Sequence, residues 1–379
     1  MSVYVLVSGD FSVWGGMDRA NYELARYLAE DLGATVHLVG YLVASPLAEH
    51  PNIIWHQVRK PLNAYLLAEP WLRHKGKKVA RSLRAECARV IVNGGNCAWP
   101  DVNWIHAVHA AWPNRVDHAP ARFRWRAAAL KARYRRDERN ALQVARMVLT
   151  NSERARQQVI SQLGLPPERV QAVYYGIDAE DFRPATEWER AAARMRLGWN
   201  AERPVAVFIG ALGHDRNKGF DLLFAAWEQL CSDADWDVDL VALGVGAEVE
   251  LWKARSQVAG LGDRIRMLGF SKGARDILAA ADLLVSPTHY EAYGLGVHEA
   301  LCCGLPAFVT RSAGIAERYP AELSELLLES PPTVADLVAR MRRWHSDRDG
   351  YRDRVASFGA ALRLRSWADM ARDVVDLIN

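Results

Sequence analysis

The chain opens on an apolar, β-branched run, VYVLVS from Val3 to Ser8, closed by a glycine turn. DRANYELARYLAEDLG then repeats apolar positions at helical spacing until Gly33 ends it, and ATVHLVGYLV is a second strand. Strand, glycine loop, helix and strand in that order predict a βαβ unit, because parallel strands must be joined by a crossover. The alternation recurs through ARVIVNGG, VNWIHAVH, a long helix from about Arg122 to Ala145, RMVLTNS and RVQAVYYG. After Gly176 the texture changes. IDAEDFRPATEWERAAARMRLGWNAERP is polar, with prolines at both ends of a helical stretch, and reads as a linker. A second series follows: PVAVFIGAL, FDLLFAAWEQLCS, DVDLVALGVG, EVELWKARSQVAGLG, RIRMLGF, ARDILAAA, DLLVSP, GLGVHEALCCG and PAFVT. The chain ends on an amphipathic helix, RSWADMARDVVDLIN.

Both halves are therefore predicted to be doubly wound α/β domains, in which ligands bind beyond the carboxyl ends of the strands. Two such sheets facing each other would form a deep interdomain cleft. A length of 379 residues, half of them apolar, agrees with two domains rather than one. The expected division is 1–180, together with the last helix from about 364 to 379, and 181–363.

Charge and cysteine usage narrow the class. The net charge of +3 is the remainder of 48 basic and 45 acidic residues, which gives no bulk signal for nucleic acid. The five cysteines (Cys87, Cys97, Cys231, Cys302, Cys303) are odd in number and show no C-x-x-C spacing, so neither a disulfide framework nor a zinc site is indicated. A reducing, cytoplasmic setting is expected. The first residues lack a basic region and their apolar run is broken by Ser8, Gly9 and Asp10, unlike a signal peptide.

Candidate chemistry concentrates in HYEAYGLGVHEALCCGLP, where Glu291 and Glu299 flank two glycines. A helix beginning near Gly294 would offer free N–H groups and a favourable dipole to a phosphate. Glu291 would lie in the loop before that helix and Glu299 inside it, each placed to accept hydrogen bonds from hydroxyls. A nucleotide-sugar, with its sugar, diphosphate and ribose, has that layout.

The stretch from Asp282 to Glu317 resembles the donor-site signature of the family 4 retaining glycosyltransferases, which have the GT-B fold. WGGMDRANYELARYL, VLTNSE, VYYGIDAEDFRP, NKGFDLLFAAW, LGDRIRMLGF and RSWADMA agree in order and spacing, so the resemblance covers nearly the whole chain. It implies that Glu291 hydrogen-bonds the transferred sugar and Glu299 the ribose hydroxyls, with backbone amides near Gly294 and Leu295 meeting the phosphates and Tyr293 in the same loop. Lys218, in its KG motif, would bind the diphosphate and offset the charge of the leaving nucleotide. Backbone groups near Phe270 would read the base. One departure stands out. The family's arginine after the glycine of FIG is Ala211 here, and Arg216 in the following loop is the expected replacement.

In the first half, Gly15 and Gly16 open a helix and make a second anion-binding N-terminus, or simply a tight turn. The family resemblance also implies a histidine at a strand end close to the reacting sugar, for which His106 and His109 are the candidates. Strand alternation puts them on opposite faces, and His109, nearer the strand end, is favoured. Trp14, Trp99, Trp104 and Trp112 fall near these loops and are read as core or as acceptor contacts. The stretch Arg122 to Arg139, with Phe123, Trp125 and Tyr134 interleaved, is either a solvated helix face or a peripheral contact with the inner face of a membrane.

The expected activity is thus retaining, metal-independent transfer of a hexose-type sugar from a nucleotide-diphosphate donor, a UDP-sugar ahead of a GDP-sugar, to a glycan or lipid-linked glycan. No cofactor beyond the donor is expected. The rival readings are a non-catalytic nucleotide-sugar-binding subunit and a GT-B epimerase or phosphorylase.

Overall fold

The computed structural model describes the chain except Met1, Asn114, Lys272 and the side chain of Asn63. It divides into two compact units. The first comprises Met1–Trp112, Arg126–Gly176 and Arg365–Asn379, and the second Pro113–Trp125 and Ile177–Leu364.

In the first unit the strands are β1 (Val3–Val7), β2 (Asp10–Phe11), β3 (Thr35–Gly40), β4 (Leu42–Val43) and β5 (Ile53–Gln57), followed by β6 (Arg89–Val92), β7 (Val102–Ile105), β8 (Met147–Thr150) and β9 (Val170–Ala172). Seven of them form a parallel sheet in the order β5-β3-β1-β6-β7-β8-β9, and β2 pairs with β4 apart from it. The register Val3↔Thr35 to Val7↔Val39 buries four of the five β1 side chains, as a sheet covered on both faces requires. The helices are α1 (Gly16–Glu30), α2 (Ser45–Ala48), α3 (Tyr65–Ser82), α4 (Ala121–Val144), whose residues up to Trp125 count with the second unit, and α5 (Glu153–Leu163).

The second unit repeats the plan with β10 (Val205–Ile209), β11 (Asp239–Leu243), β12 (Ile265–Gly269), β13 (Leu283–Ser286), β14 (Ala307–Thr310) and β15 (Leu327–Leu328). Their order is β12-β11-β10-β13-β14-β15. The strand order therefore reverses between β10 and β13 here, and between β1 and β6 in the first unit. Such reversals open a crevice at the strand carboxyl ends, because the two flanking crossovers run to opposite faces. The helices are α6 (Glu187–Leu197), α7 (Phe220–Cys231), α8 (Val249–Val258), α9 (Ala274–Ala280), α10 (Leu295–Cys302), α11 (Val334–Ser346) and α12 (Arg348–Arg363). The last helix, α13 (Trp367–Ile378), belongs to the first unit and packs on α1. Ser366 caps it with a capping box completed by Asp369.

The stretch expected to be a linker is largely an integral part of the second unit. Thr186 caps α6 with a capping box to Glu189, and α6 packs on α9. Arg194 on α6 is 3% exposed. Its Nε donates to the Ala280 carbonyl at 3.0 Å, Nη1 to the Asn200, Ala201 and Arg203 carbonyls at 2.7–3.0 Å, and Nη2 to Asp282 Oδ2 at 2.6 Å. Asp282 also accepts from Arg190 at 2.6 Å and from the Val205 amide at 2.9 Å. Arginine reads as surface in a sequence; here its fork is used up by carbonyls and one carboxylate, which is what makes its burial tolerable.

Candidate functional site

The reversal point of the second unit is flanked by the loops that leave β10 and β13, and these loops hold the two groups singled out by sequence. Lys218 Nζ forms a salt bridge with Glu291 Oε2, both side chains being partly exposed. The backbone on either side of Lys218 is pinned. Asn217 Nδ2 donates to the Tyr290 carbonyl at 2.9 Å, and the Asn217 carbonyl accepts from His289 N at 2.8 Å and Thr288 Oγ1 at 3.1 Å. Gly219, which caps α7, has φ +73°, and a Cβ there would lie 2.0 Å from the Pro287 carbonyl oxygen. Only glycine allows that approach and that backbone conformation. The loop bearing Lys218 is thus locked onto the loop bearing Glu291.

Three residues beyond Glu291, Gly294 caps α10 at φ +111°, and a Cβ there would meet Ile315 Cγ2 at 2.9 Å and Glu291 Cγ at 3.4 Å. The loop between is held by Gly314 N donating to the Glu291 carbonyl at 3.0 Å and Ile315 N to that of Tyr293 at 2.6 Å. The first amides of α10, from Leu295 on, therefore begin next to the Lys218–Glu291 pair, with the positive end of the helix dipole behind them. Glu299 is half-buried on the second turn of the same helix. One expectation changes. The Tyr293 ring is 2% exposed and its hydroxyl meets His298 Nδ1 at 3.0 Å, so its side chain braces the loop from inside and is not available to a ligand. Phe270, just past β12, is 63% exposed, and the preceding Gly269 carbonyl accepts from Gly244 N at 2.9 Å.

Arg216 does not stand beside Lys218 as an unengaged guanidinium. Its Nε donates to Glu248 Oε2 at 2.8 Å and Nη2 to Oε1 at 3.3 Å, and its guanidinium carbon lies 5.1 Å from the Trp252 ring centroid. Glu248 is 3% exposed and also takes His214 Nδ1 and His118 Nε2, each at 3.3 Å. Burial alone would raise this carboxyl, but hydrogen bonds from Arg216 and His214 outweigh it and hold it below the usual range. The replacement of the arginine missing at Ala211 by Arg216 is corrected accordingly: its charge is neutralised where it sits.

A different arginine, missed in the sequence, lies against this loop system. Arg115 Nη1 is 3.2 Å from His289 Nδ1 and Nη2 is 3.6 Å from Asp221 Oδ2. Burial, then the charge of Arg115, depress the His289 imidazole to about 4. No local motif announces a contact between residues 174 apart in the chain.

In the first unit, Gly15 has φ +85° and caps α1, and Gly16 begins that helix. The two histidines part company. β7 ends at Ile105, so strand alternation does not apply to them. His106 is buried, with Nε2 3.0 Å from Asn93 Nδ2 and Nδ1 2.6 Å from the Tyr175 hydroxyl. Because Asn93 can only donate at Nδ2, the ring proton sits on Nδ1. Burial pushes the imidazole down to about 3, and His106 leaves the candidate set as a neutral bracing group. His109 instead is 39% exposed at its side chain and lines an open pocket. Trp104 is wholly buried core, whereas Trp14 is 43% exposed.

His106 makes acid stability testable. Its folded-state pKa is depressed below the ordinary 6.5, so between pH 6.5 and about 3 the unfolded chain binds a proton that the native state refuses. The stabilisation is complete above pH 6.5 and lost as pH falls, at up to about 1.4 kcal/mol per pH unit. In thermal melts from pH 7 to 4, His106→Gln should flatten the loss; a slope equal to the parent's would assign acid sensitivity elsewhere.

The thiols agree with packing. Burial pushes Cys302 and Cys303 up to about 12.

Residues 14–181 match the family model described as Glycosyltransferase Family 4, and residues 189–361 the model described as Glycosyl transferases group 1. The chain is 31% identical over 238 residues to D-inositol 3-phosphate glycosyltransferase 1 of Catenulispora acidiphila, a match covering 59% of this chain and 56% of the relative. It is 29% identical to alpha-maltose-1-phosphate synthase of Mycolicibacterium smegmatis, covering 67% of this chain and 68% of the relative. The chain spans about half the length of several curated relatives it matches. Its fold is similar to the crystal structure of WaaG, a glycosyltransferase involved in lipopolysaccharide biosynthesis, with TM-score 0.78, 18% identity, and coverage of 100% of this chain and 99% of that one. Anabaena Alr3699/HepE in complex with UDP and glucose is similar at TM-score 0.72 and 17% identity, again over 100% and 99% of the two chains.

Proposed function

The chain belongs to the group 1, family 4 glycosyltransferases, and from that premise we propose that it transfers a sugar from a nucleotide-diphosphate donor to a hydroxyl acceptor with retention of configuration. The observation that carries this reading is the Lys218–Glu291 pair at the strand reversal of the second unit, set against the first turn of α10. An ammonium has three donors and a carboxylate several acceptor sites, so pairing leaves each with capacity for a ligand. In the proposed complex the ammonium and the helix amides take the diphosphate and stabilise its departure. Glu291 orients the sugar hydroxyls and Glu299 holds the ribose. The departing phosphate takes the acceptor proton on the same face, so no side-chain nucleophile is required.

A UDP-sugar is proposed ahead of a GDP-sugar, in line with a structural neighbour solved with UDP-glucose. Thermal melts with UDP- and GDP-sugars test the donor: at a hundred times Kd a bound donor adds about 2.7 kcal/mol and raises Tm by several degrees. No shift with any nucleotide-sugar would remove the reading. The Ala211 departure and the neutralised Arg216 favour one alternative, a subunit that binds donor without turnover. Acceptor-dependent release of free nucleotide excludes it.

The acceptor is proposed to be a glycan or lipid-linked glycan. No helix among the described residues is long and apolar enough to cross a membrane. A peripheral contact is proposed through the amino-terminal half of α4, where Trp125 is 80% exposed beside exposed Arg122, Arg124 and Arg126. Further along, Arg133 and Arg135 turn to Glu69 and to backbone carbonyls, which narrows the surface first read from Arg122 to Arg139. Flotation with phosphatidylserine vesicles should recover the protein and lose it on Trp125→Ala with Arg122→Glu; parent protein left at the bottom of the gradient would dismiss the contact.

A further inference from the structure

The first unit has its own polar pocket, of about 290 Å³, at the carboxyl ends of β6 and β7 beside that sheet's reversal point. We infer that it receives one uncharged, hydroxyl-rich ring of the acceptor, a neutral sugar or polyol and not a phosphorylated one, and that buried Glu138 is the positioning residue that sets His109 to read it. The inference rests on the transferase reading, since it names the acceptor class of that reaction.

The charge pattern of the wall carries the choice of ligand. Arg73 Nη2 donates to Asp137 Oδ2 at 2.8 Å and to the Gly95 carbonyl at 3.2 Å. Arg133, behind the wall, donates to Glu69 Oε2 at 2.6 Å and lies 3.7 Å from Asp137. The Tyr134 hydroxyl also hydrogen-bonds Glu69. Burial raises the Glu69 carboxyl, whereas at Asp137 the raising effect of burial is overcome by Arg73, which holds that carboxyl low. Arg73 and Arg133 each already face a carboxylate, so a phosphate would gain no unopposed cation from either and would meet two acidic groups. A hydroxyl both donates and accepts, and the alternation of carboxylate, guanidinium, imidazole and the Asn96 amide suits it. The volume lies at the lower limit of ligand pockets, a fit for one ring.

His109 is held more firmly than a loop histidine needs to be. Glu138 on α4 is wholly buried, and its Oε1 accepts from the His109 backbone N–H at 2.8 Å and from Nδ1 at 3.1 Å, while Oε2 accepts from Ala110 N–H at 3.1 Å. One turn earlier on the helix, Arg135 donates to the His109 and Ala110 carbonyls at 3.1 and 2.9 Å. The helix thus grips both the amides and the carbonyls of one turn. The His109 ring is set 5.3 Å from that of Tyr134, centroid to centroid. With the Nδ1 proton directed at Glu138, Nε2 remains as the acceptor for a hydroxyl in the pocket that the ring lines.

Saturation-transfer NMR on the full chain, using glucose, galactose and myo-inositol against glucose 1-phosphate, galactose 1-phosphate and inositol phosphate, tests the ligand class. At least one neutral probe should bind, weaken about tenfold or more in His109→Ala, and bind at least as well as its phosphate. No neutral binder, a phosphate bound tenfold more tightly, or binding indifferent to His109→Ala would each overturn the inference. Glu138→Gln keeps the volume and one acceptor oxygen, removes the charge, and sets an NH2 donor against one of the two backbone amides. It should weaken the Nδ1–H tautomer of His109 in the 15N NMR spectrum and weaken the neutral probe, with Tm lowered by a few degrees. A His109 tautomer and a probe affinity both unchanged in Glu138→Gln would overturn the positioning role. Thermal shifts by UDP-sugars are followed in the same variants: their retention with loss of probe binding separates this pocket from the donor site, and their absence in the parent refutes the transferase reading itself.

Discussion

Replacing Lys218 by alanine is expected to lower kcat about a hundredfold, the loss that follows removal of one donor aimed at developing negative charge. The protein should fold normally, since the Lys218–Glu291 pair is partly solvated and such pairs contribute about 1 kcal/mol or less. Glu299→Ala should behave differently, raising the donor KM with kcat changed by about threefold or less, because ribose contacts are made equally in the ground and transition states. Lys218→Arg should recover little. Its planar fork does not reproduce a compact ammonium paired with Glu291. Steady-state kinetics with a UDP-sugar donor distinguish these outcomes, and unchanged turnover and donor affinity in both alanine variants would sink the site assignment.

The largest loss of stability is expected at Asp282. Asp282→Ala leaves Arg194 at 3% exposure without its carboxylate and also deprives Arg190 and the Val205 amide of an acceptor. Stranding a buried charge costs about 3–5 kcal/mol, which for a unit of this size lowers Tm by roughly 10 °C. Asp282→Asn, which can still accept from one arginine, should fall between. Calorimetry measures the shift, and one under about 2 °C in the alanine variant would mean that the arginines find other partners. The lesion lies at the opposite end of β13 from Glu291, so folded variant should retain its affinity for donor.

These two predictions differ in how far the sequence could have supplied them. Lys218, Glu291 and Glu299 lie in short segments whose glycines, apolar runs and family resemblance were all readable in order along the chain. Asp282 was readable only as the first residue of a strand, and Arg194 as one more charge in a polar stretch taken for a linker. Nothing in the spacing says that the arginine fork would close on carbonyls at Ala280, Asn200, Ala201 and Arg203. The same holds for Glu138, which sits among arginines in a helix that reads as solvated, and for Arg115, whose partner lies 174 residues away. Arg216 shows the converse error. Its place in the right loop was legible, but its ion pair with Glu248, 32 residues on, was not.

What the sequence determined by itself was set by local forces: β-branched runs that become buried parallel strands, and apolar periodicity that makes helices. Those terms depend on neighbours a few positions apart, so they survive in a one-dimensional reading. The partner of each charge depends on which strand ends meet at a sheet's reversal point, and on which carboxylate is dry enough to hold a guanidinium or an imidazole. Only the folded chain brings Lys218 to Glu291 while drawing Arg216 away to Glu248, and only the folded chain buries His106 on Asn93 and Tyr175 while turning His109 to the pocket.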